Sequence, residues 1–544
     1  MTRLRFGILL SLALPGSLVA QQRLSPRDSA LHALNRLGYG PSPGLLDQIL
    51  RDGVLSWVDR QLGVADIEDP GLRDVLSRYE LLRTSQEQLL QRFVEVRQDR
   101  RAAQRASGAA GTDSMQRRMP AGAQAQRRLG GELQNLVLVR AILSERQLGE
   151  VMADFWINHF NIFVGKNLDR VYLPSYVEET IRPHALGSFA ELLIATARSP
   201  AMMVYLDNAQ SVAPGSRPPA LERLDRQRGL RGRMRPSAGM DSMRQRLASR
   251  MPTGLNENYA RELLELHTVG VDGGYTQADV TEVARILTGW SVAPPPRGGG
   301  FAFNAWAHDR GAKRVLGIEF PAGQGEEEGV RLLKLLAAHP STMHFVSGKL
   351  CARFVNDVPP DGCTDDAVKA WKQSNGNIRA VLRAVFHSPD FWAATNLDSK
   401  VKTPLEFVAS AVRAVGGVPD TTLRLAQVVA RLGQPLYQHV APNGYGEQQE
   451  DWVNSGALLN RMNVAVALAA DRLPGVTVRL DELIPLGMEQ TSLVDSVNRV
   501  ILGGKMTAQT RKVILEQLEG VANPVQARAL AVGLALGGPD FQRQ

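Results

Sequence analysis

The sequence predicts a mainly α fold, a multi-helix bundle with one small β-hairpin excursion and two arginine-rich insertions. Three observations support this prediction. Apolar residues recur at three- and four-residue spacing over most of the 544 residues, strand patterns are sparse, and the hydrophobic fraction is 44%. Such a chain has enough apolar side chains for a large core, which excludes a disordered or fibrous protein.

The N-terminus predicts an export signal over residues 1–20. Arg3 and Arg5 precede the apolar run 6–14, and Ala20 is a small residue suited to cleavage before Gln21. The run is too short to cross a bilayer, which takes about 20 apolar residues, and no later stretch is long enough. We therefore expect a periplasmic or secreted protein without a transmembrane span.

The mature chain, residues 21–544, is predicted to be one large helical body, and a division into 21–290 and 320–544 stays open. Helical spacing begins with Leu31, Leu34 and Leu37 and continues through the rest of the chain. The only hairpin pattern pairs residues 301–306 with residues 313–317 around a turn at residues 308–311. No strand is followed by a glycine-rich turn and a helix, so a dinucleotide-binding unit has no support.

The net charge of +8 is concentrated in the two insertions. Residues 97–128 contain eight arginines and two aspartates, and residues 213–253 contain ten arginines and three acidic residues. With few apolar residues to bury, these segments are expected to be solvated loops or extended helix tips. The alternative is a pair of arms that bind a polyanion. Nucleic acid is not expected as the partner, because export disfavours it and the aromatic residues that stack on bases are missing.

Two cysteines, Cys351 and Cys363, are separated by a segment with two prolines and a glycine that could fold back on itself. An oxidising compartment would allow them to pair. We expect a local disulfide that stabilises the fold, rather than a catalytic thiol or a zinc site.

A first polar segment lies at residues 154–163. The helical repeat places Asp154, Asn158 and Asn161 on one face and His159 on an aromatic face. His159 has two interpretations. It is either a core histidine that donates to a backbone carbonyl, or a metal ligand or proton carrier.

A second polar segment lies at residues 256–267. Asn258, Glu262 and Glu265 fall on one stripe of the predicted helix, with Arg261 beside them. Burial of these carboxylates would require a cation, supplied by an arginine, a substrate amine or a metal. The alternative is a solvated acidic face on which Arg261 pairs with Glu265.

A metal at this segment would be divalent. Oxygen ligands suit calcium, magnesium or manganese, and His267 would favour a transition metal. In a continuous helix His267 points away from Glu262 and Glu265, so it joins them only if the helix ends near Thr268. The next helix is predicted to begin with a capping box formed by Thr276 and Asp279.

Several stretches strongly resemble the signature of the bacterial family catalogued as domain of unknown function 1800: residues 32–40, 155–160, 208–211, 256–290, 308–313, 349–355 and 402–408. The resemblance covers nearly the whole mature chain. It implies an exported protein of uncertain activity, often encoded beside a second family that is similar to sulfatases and alkaline phosphatases. It draws attention to the two polar segments but supplies no mechanism.

Two hypotheses follow. The first is an exported enzyme that uses acid–base chemistry or a divalent metal, acting on an extracellular acidic polymer. Its site would gather His159, Glu262, Glu265 and His267 as catalytic groups, and Asn158, Asn258, Arg261, His308 and Asp309 as substrate-binding groups. The second is a non-catalytic binding or assembly scaffold for a secreted sulfatase-like partner, in which these groups form a buried polar network.

Overall fold

The structure is a computed structural model that describes residues 24–63, 66–107, 121–166, 168–219, 221–223, 226 and 254–544. The predicted export signal and most of the two arginine-rich insertions lie outside these residues. Within the first insertion, residues 97–107 and 121–128 are described, and both stretches are helical.

The architecture is mainly helical, as predicted. In the first half of the chain the described α-helices are Pro26–Arg36, Leu45–Asp52, Val54–Leu62, Pro70–Leu76, Gln86–Ser107, Ala121–Leu143, Gln147–His159, Asp169–Ser175, Arg182–His184, Phe189–Arg198, Pro200–Tyr205, Asn258–Glu262 and Gln277–Ile286. In the second half they are Glu326–Ala337, Pro340–Phe354, Asp361–Ser374, Ile378–His387, Pro404–Ala414, Arg424–Arg431, Gln449–Trp452, Ser455–Ala469, Gln490–Ile501, Ala508–Leu518, Pro524–Gly537 and Pro539–Gln542.

Helix starts follow local capping chemistry. The predicted capping box is confirmed, because Thr276 and Asp279 bond reciprocally at the start of Gln277–Ile286. Thr403 and Glu406 form a second capping box at the start of Pro404–Ala414, where Pro404 occupies the first turn. This second box fixes a carboxylate that later lines the candidate site.

The strands are short and form three separate antiparallel pairs within the described residues. Trp290–Val292 pairs with Phe301–Phe303, Lys313–Val315 pairs with Ile318–Phe320, and Val418–Pro419 pairs with Val476–Thr477. The predicted pairing of residues 301–306 with 313–317 is therefore wrong. Each stretch pairs with its own nearer neighbour, and Gly317 (φ +80°) forms the tight turn of the second hairpin.

The helix Pro404–Ala414 lies at the centre of the core, since every one of its residues is buried. Its polar residues Glu406, Ser410 and Arg413 are buried together with its apolar ones, so Glu406 is held at depth on a rigid element. Two π-helical segments, Tyr176–Ile181 and Leu263–His267, interrupt regular helices elsewhere in the described chain. Such segments re-aim side chains and are frequent at functional sites.

The predicted disulfide is confirmed. Cys351 and Cys363 are bonded and fully buried, and they join the helix Pro340–Phe354 to the helix Asp361–Ser374. The first of these helices also carries Lys349 and Arg353, so the disulfide restrains an element of the candidate site. Among the described residues, no helix is both long enough and apolar enough to cross a membrane.

Candidate active site

The polar face of the helix Gln147–His159 opens onto a small cleft. Asp154 and Asn158 line it from the helix, as the helical repeat predicted, and Asn161 lines it from just beyond the helix end. The cleft is closed on another side by residues 434–448, which we call the cleft loop. The charged residues that line the cleft are Asp154, Arg353, Glu406 and Glu447.

Asn158 holds the cleft loop. Its side-chain Oδ1 accepts from the Tyr445 backbone N–H at 2.7 Å, and its Nδ2 donates to the Tyr445 carbonyl at 2.8 Å. Gly444 adopts φ +72°, and a Cβ there would lie 2.4 Å from the Asn158 carbonyl oxygen. Asn158, predicted to bind substrate, uses its amide to bind this loop.

Asn161 anchors the same loop one turn further along. Its Nδ2 donates to the carbonyls of His439 at 3.1 Å and Ala441 at 2.7 Å. The Tyr205 hydroxyl donates to the Val440 carbonyl at 2.7 Å. The backbone of an irregular loop is thus satisfied by side chains, which keeps this wall of the cleft in one conformation.

Asp154 is an unpaired acid of the cleft, and so is Glu447. Within the described part of the chain, neither carboxyl makes a hydrogen bond or an ion pair. Burial raises the pKa of Asp154 to about 7, against the opposing charge of Arg353 and with the help of the negative charges of Glu447 and Glu406. The Asp154 carboxyl is therefore protonated far more easily than a free aspartate.

Glu406 is the paired acid of the cleft. Its Oε1 lies 2.6 Å from Arg353 Nη2, and its Oε2 accepts from the Thr403 backbone N–H at 2.8 Å. Burial alone would raise the pKa of Glu406, but the Arg353 charge and the Thr403 N–H lower this pKa to about 2. Glu406 therefore stays anionic at neutral pH.

Glu447 and Tyr437 come from the cleft loop. Burial raises the pKa of Glu447, while Arg353 and Lys400 oppose that rise. Tyr437 has a backbone φ of +61°, an unusual conformation for a bulky residue. Its buried hydroxyl has no hydrogen-bond partner in the described structure. Strain and an unpaired polar group together are typical of functional positions.

A second, smaller cavity adjoins the cleft, and Asp154 and Tyr437 line both. Its far wall carries two bidentate ion pairs. Arg140 contacts Glu178 at 2.6 and 2.9 Å, and Arg182 contacts Glu150 at 2.8 and 2.7 Å. Asp154 and Tyr437 thus lie at the junction of two polar cavities.

The predicted meeting of His159 and His267 takes place in the core. Their ring centroids are 6.2 Å apart. His159 Nε2 lies 3.2 Å from the His267 carbonyl, and since a carbonyl only accepts, Nε2 carries the proton. His159 Nδ1 then accepts from Lys349 Nζ at 3.2 Å. The interpretation of His159 as a core histidine that donates to a backbone carbonyl is confirmed.

Both imidazoles are neutral. Burial, together with the Lys349 charge, lowers the pKa of His267 to about 3 and that of His159 well below its usual value. His267 Nε2 is buried and has no partner among the described residues. Neither ring takes up a proton in the physiological range.

Glu262 and Glu265 are not joined to these imidazoles by any hydrogen bond or ion pair that the described residues show. Glu265 Oε2 accepts from the Tyr275 hydroxyl at 3.3 Å, and the pKa of the partly buried Glu262 is raised by burial and by Glu265. The regular helix ends at Glu262, and a π-helical turn carries the chain to His267. The described chain contains no group of three or more His, Cys, Asp or Glu side chains arranged to hold a metal ion.

Arg261 and Asn258 lie on the outer side of this helix. Arg261 Nη2 is 3.7 Å from Glu257 Oε2 and donates to Gln277 Oε1 at 2.8 Å. The predicted pair of Arg261 with Glu265 is therefore wrong, because the arginine turns toward the preceding helical turn. Asn258 is exposed, and its Nδ2 lies 3.4 Å from the Leu206 carbonyl.

His308 and Asp309 belong to a separate buried network. His308 Nδ1 lies 2.9 Å from the Thr288 carbonyl, and its Nε2 lies 3.3 Å from Glu328 Oε2. Asp309 accepts from Arg285 at 2.8 and 3.1 Å. Neither His308 nor Asp309 lines the cleft or the adjoining cavity. They connect the strand pairs to the neighbouring helices.

Five charged or unpaired residues of the cleft are not among the site residues predicted from the sequence: Asp154, Arg353, Glu406, Tyr437 and Glu447. Arg353 and Glu406 lie inside the stretches 349–355 and 402–408, which carry the family resemblance, so a signal for them existed. Tyr437 and Glu447 lie in an irregular loop, where no periodic pattern marks which side chains turn inward.

The fold and the cleft define a mainly helical, disulfide-bonded protein with a buried, partly unpaired acid site. Residues 32–543 match the model of a family described as a protein of unknown function, DUF1800. The chain belongs to this family. No curated protein and no solved structure matches it.

Proposed function

We propose that this protein is an exported enzyme that performs general acid–base catalysis in the cleft around Asp154. The observation that carries the proposal is a carboxyl that lines a cleft and has no hydrogen-bond partner in the described structure. A carboxyl whose pKa is about 7 can both donate and accept a proton near neutral pH.

The roles of the two best-defined acids follow from their environments. The Arg353 ion pair keeps Glu406 anionic, whereas Asp154 has no such partner and exchanges its proton. Enzymes that divide acid and base work between two carboxyls separate their pKa values in this way. In the proposal Asp154 is the catalytic acid–base group, and Arg353 and Glu406 are positioning residues.

The site of the proposal differs from the one expected from the sequence. His159 and His267 are neutral core groups, and His308 and Asp309 lie in another network, so these four residues are assigned structural roles. Export rests on the N-terminal pattern at residues 1–20, and an extracellular polymer is a substrate consistent with that address. A divalent metal stays a prediction that elemental analysis of the purified protein tests.

The second candidate function is a non-catalytic scaffold that binds or assembles with a secreted sulfatase-like partner. The observation that favours it is the extent of satisfied ion pairing, such as the two bidentate pairs of Arg140 with Glu178 and of Arg182 with Glu150. Networks of this kind specify one packed conformation without taking part in chemistry. Under this candidate, loss of the Asp154 carboxyl changes no reaction.

The test is a turnover screen with a matched pair of variants. The mature protein is incubated with extracellular polymers, and released fragments are measured by mass spectrometry. We expect Asp154→Asn to lower turnover at least 100-fold, within the range that acid–base groups contribute. The control Asp169→Asn is expected to retain turnover within a few-fold.

Asp169 is a suitable control because burial raises the pKa of its carboxyl to about 8, while it lines neither the cleft nor the adjoining cavity. Both variants therefore remove a buried acid, but only one removes it from the cleft. Turnover that is equal in the two variants contradicts the proposed function.

A further inference from the structure

A pocket lined by four arginines lies beside the second cavity, and we call it the arginine pocket. It has a volume of about 210 Å³, and the charged residues that line it are Arg73, Arg140, Arg146, Arg182, Asp69 and Glu150. The arginines come from the helix Pro70–Leu76, the helix Ala121–Leu143, the residue before the helix Gln147–His159, and the helix Arg182–His184. Neither Asp154 nor Tyr437 lines this pocket, so it is distinct from the cleft.

Two of the four arginines are paired with glutamates. Arg140 contacts Glu178 and Arg182 contacts Glu150, each through two hydrogen bonds. A guanidinium has five N–H groups, so each pair leaves N–H groups for a ligand. Burial alone would raise the pKa of Glu150, but Arg182 and two further arginines of the pocket lower it. Positive charge is therefore in excess around this carboxylate.

The other two arginines, Arg73 and Arg146, have no carboxylate partner among the described residues. Arg146 donates from Nε to the Ile67 carbonyl at 2.7 Å, and neither of its Nη atoms has a partner in the described chain. The Arg73 side chain is exposed and makes no hydrogen bond or ion pair that the described residues show. Two cations of one pocket thus lack a counter-charge.

The second acid of the pocket, Asp69, does not supply that counter-charge by contact. It accepts from the backbone N–H groups of Leu72 at 3.3 Å and Glu145 at 2.8 Å, and from the Ser144 hydroxyl at 3.0 Å. These donors hold Asp69 at the start of the helix Pro70–Leu76, where it is the N-cap. Together with the two glutamates, Asp69 still leaves a net charge of +1, from four arginines against three acids.

We infer that the arginine pocket binds a tetrahedral oxyanion, a phosphate or sulfate group, with Arg73 and Arg146 as the cations that bind it. The planar guanidinium fork binds the oxygens of such a group through two parallel hydrogen bonds. A phosphate ester has three strong acceptor oxygens, so it can be bound from several directions by arginines that come from different elements. The inference goes beyond the acid–base function, because it assigns a second site outside the cleft.

The pocket has room for this group. A cavity for one water molecule has a volume of about 10–15 Å³ on the same scale, so about 210 Å³ accommodates the oxyanion and several waters. The Arg140 side chain is 7% exposed and is held by its pair with Glu178, so this part of the site is ordered before a ligand binds. Only the exposed Arg73 has to be ordered by the ligand.

Calorimetric titration of the mature protein at low ionic strength tests the inference, because salt screens exposed charges. The probes are inorganic phosphate, inorganic sulfate, glucose 6-phosphate, glucose 6-sulfate and glucuronate. We expect the phosphate or sulfate probes to bind at least tenfold more tightly than glucuronate, whose carboxylate offers fewer oxygens. Arg73→Gln and Arg146→Gln should each weaken that binding about tenfold, since hydrogen bonds between charged groups are the strong ones.

The matched control is Arg78→Gln. Arg78 is exposed like Arg73 and lies five residues further along the chain, but it does not line the pocket. This control should bind the same probes with unchanged affinity, and so should Asp154→Asn, which alters the cleft and not the arginine pocket. Because Arg73 is exposed, Arg73→Gln keeps the inference testable even where Arg146→Gln, which loses the bond to Ile67, is unstable.

The probes also separate two sources of the anion. Ester probes that bind at least as tightly as the inorganic ions identify a phosphate or sulfate ester as the ligand, and binding of the inorganic ions alone identifies a free ion. Absence of binding to every phosphate and sulfate probe, glucuronate binding as tight as theirs, or an equal loss of affinity in Arg73→Gln and Arg78→Gln overturns the inference. Turnover in Asp154→Asn tests only the acid–base function, so the two proposals fail independently.

Discussion

Two charge clusters of this protein each combine basic and acidic side chains but differ in whether every acidic side chain has a cationic partner. In the first, which we call the hairpin network, Lys313 Nζ lies 2.6 Å from Glu328 Oε2, and His308 Nε2 lies 3.3 Å from the same oxygen. The side chains of Lys313 and Glu328 are 0% exposed. No residue of this network lines the cleft or the adjoining cavity. Its charges are complementary to one another.

The second cluster is the cleft. Arg353 and Glu406 are paired as tightly as Lys313 and Glu328, but Asp154 beside them has no partner in the described chain. The comparison teaches that burial alone does not identify a functional charge. A buried charge that is fully paired belongs to the fold, whereas one left unpaired at a cavity is free to act on a ligand.

The largest change in stability is expected when the hairpin network loses the Glu328 carboxylate. Glu328→Gln removes the carboxylate that lies 2.6 Å from the fully buried Lys313 ammonium and leaves the more distant Asp309 Oδ1, at 4.0 Å. We expect the free energy of unfolding to fall by about 3–5 kcal/mol, the usual cost of breaking a buried ion pair. Urea denaturation measures it. Glu327→Gln on the same helix is the control, because Glu327 is exposed and should change stability by less than about 0.5 kcal/mol.

A smaller loss is expected from the paired half of the cleft. Arg353→Met leaves Glu406 anionic and buried, so we expect stability at pH 7 to fall by about 2–4 kcal/mol. Glu406 has a folded pKa of about 2 and an ordinary value of 4.5, so its stabilising effect is present above pH 4.5 and is lost as the pH falls toward 2. The cost of the substitution should shrink over that window.

The control for this prediction is Arg424→Met, which removes an exposed arginine. Denaturation curves at pH 3 and pH 7 separate the two variants. A cost for Arg353→Met that is the same at both pH values contradicts the assignment of Arg353 as the cation that keeps Glu406 ionised.

The sequence was sufficient for the helical class, the disulfide and the polar face of residues 154–161, because each of these depends on local spacing. Periodicity shows which side chains share a face, and the face of Asp154, Asn158 and Asn161 does line the cleft. Spacing could not show that the Asn158 side chain hydrogen-bonds the backbone of Tyr445, a residue 287 positions away. Long-range pairing depends on packing and not on a local pattern.

The same limit explains the histidines. The sequence placed His159 on an aromatic face, and the structure brings it to His267 as expected, but the Lys349 ammonium also arrives there from a third segment. That charge and burial keep both rings neutral. The wrong pairing of residues 301–306 with residues 313–317 has another cause. Each of these stretches has a nearer strand with which it pairs, and the alternating pattern does not show which partner a strand takes.

Replacement of the unpaired Asp154 of the cleft is expected to stabilise the protein. Asp154 has an ordinary pKa of 3.8 and a folded value of about 7, so between these values the folded protein holds a proton that the unfolded chain has released. Stability therefore falls as the pH rises through this window. Asp154→Asn removes that penalty. We expect its stability relative to the wild type to rise by about 4 kcal/mol between pH 4 and pH 8.

Thermal denaturation of both proteins across that pH range tests this expectation. Asp169→Asn should show the same trend, because burial also raises the pKa of Asp169. The two variants should then agree in stability and differ only in turnover. If Asp154→Asn is destabilising at pH 8, the carboxyl has a partner in solution and the contrast between the two clusters is lost.

The smallest effect is expected on the outer face of the helix Asn258–Glu262, which the sequence had marked as a site. The Arg261 and Glu257 side chains are 42% and 36% exposed, and their charged atoms are 3.7 Å apart. Exposed pairs contribute about 0–1 kcal/mol, since water screens the charges and both long side chains must be ordered. Arg261→Ala should change the free energy of unfolding by less than about 0.5 kcal/mol and leave turnover unchanged. Arg261→Ala and Asp154→Asn should be measured side by side. A larger loss of stability or of turnover in Arg261→Ala would indicate that the functional site lies on this helix and not in the cleft.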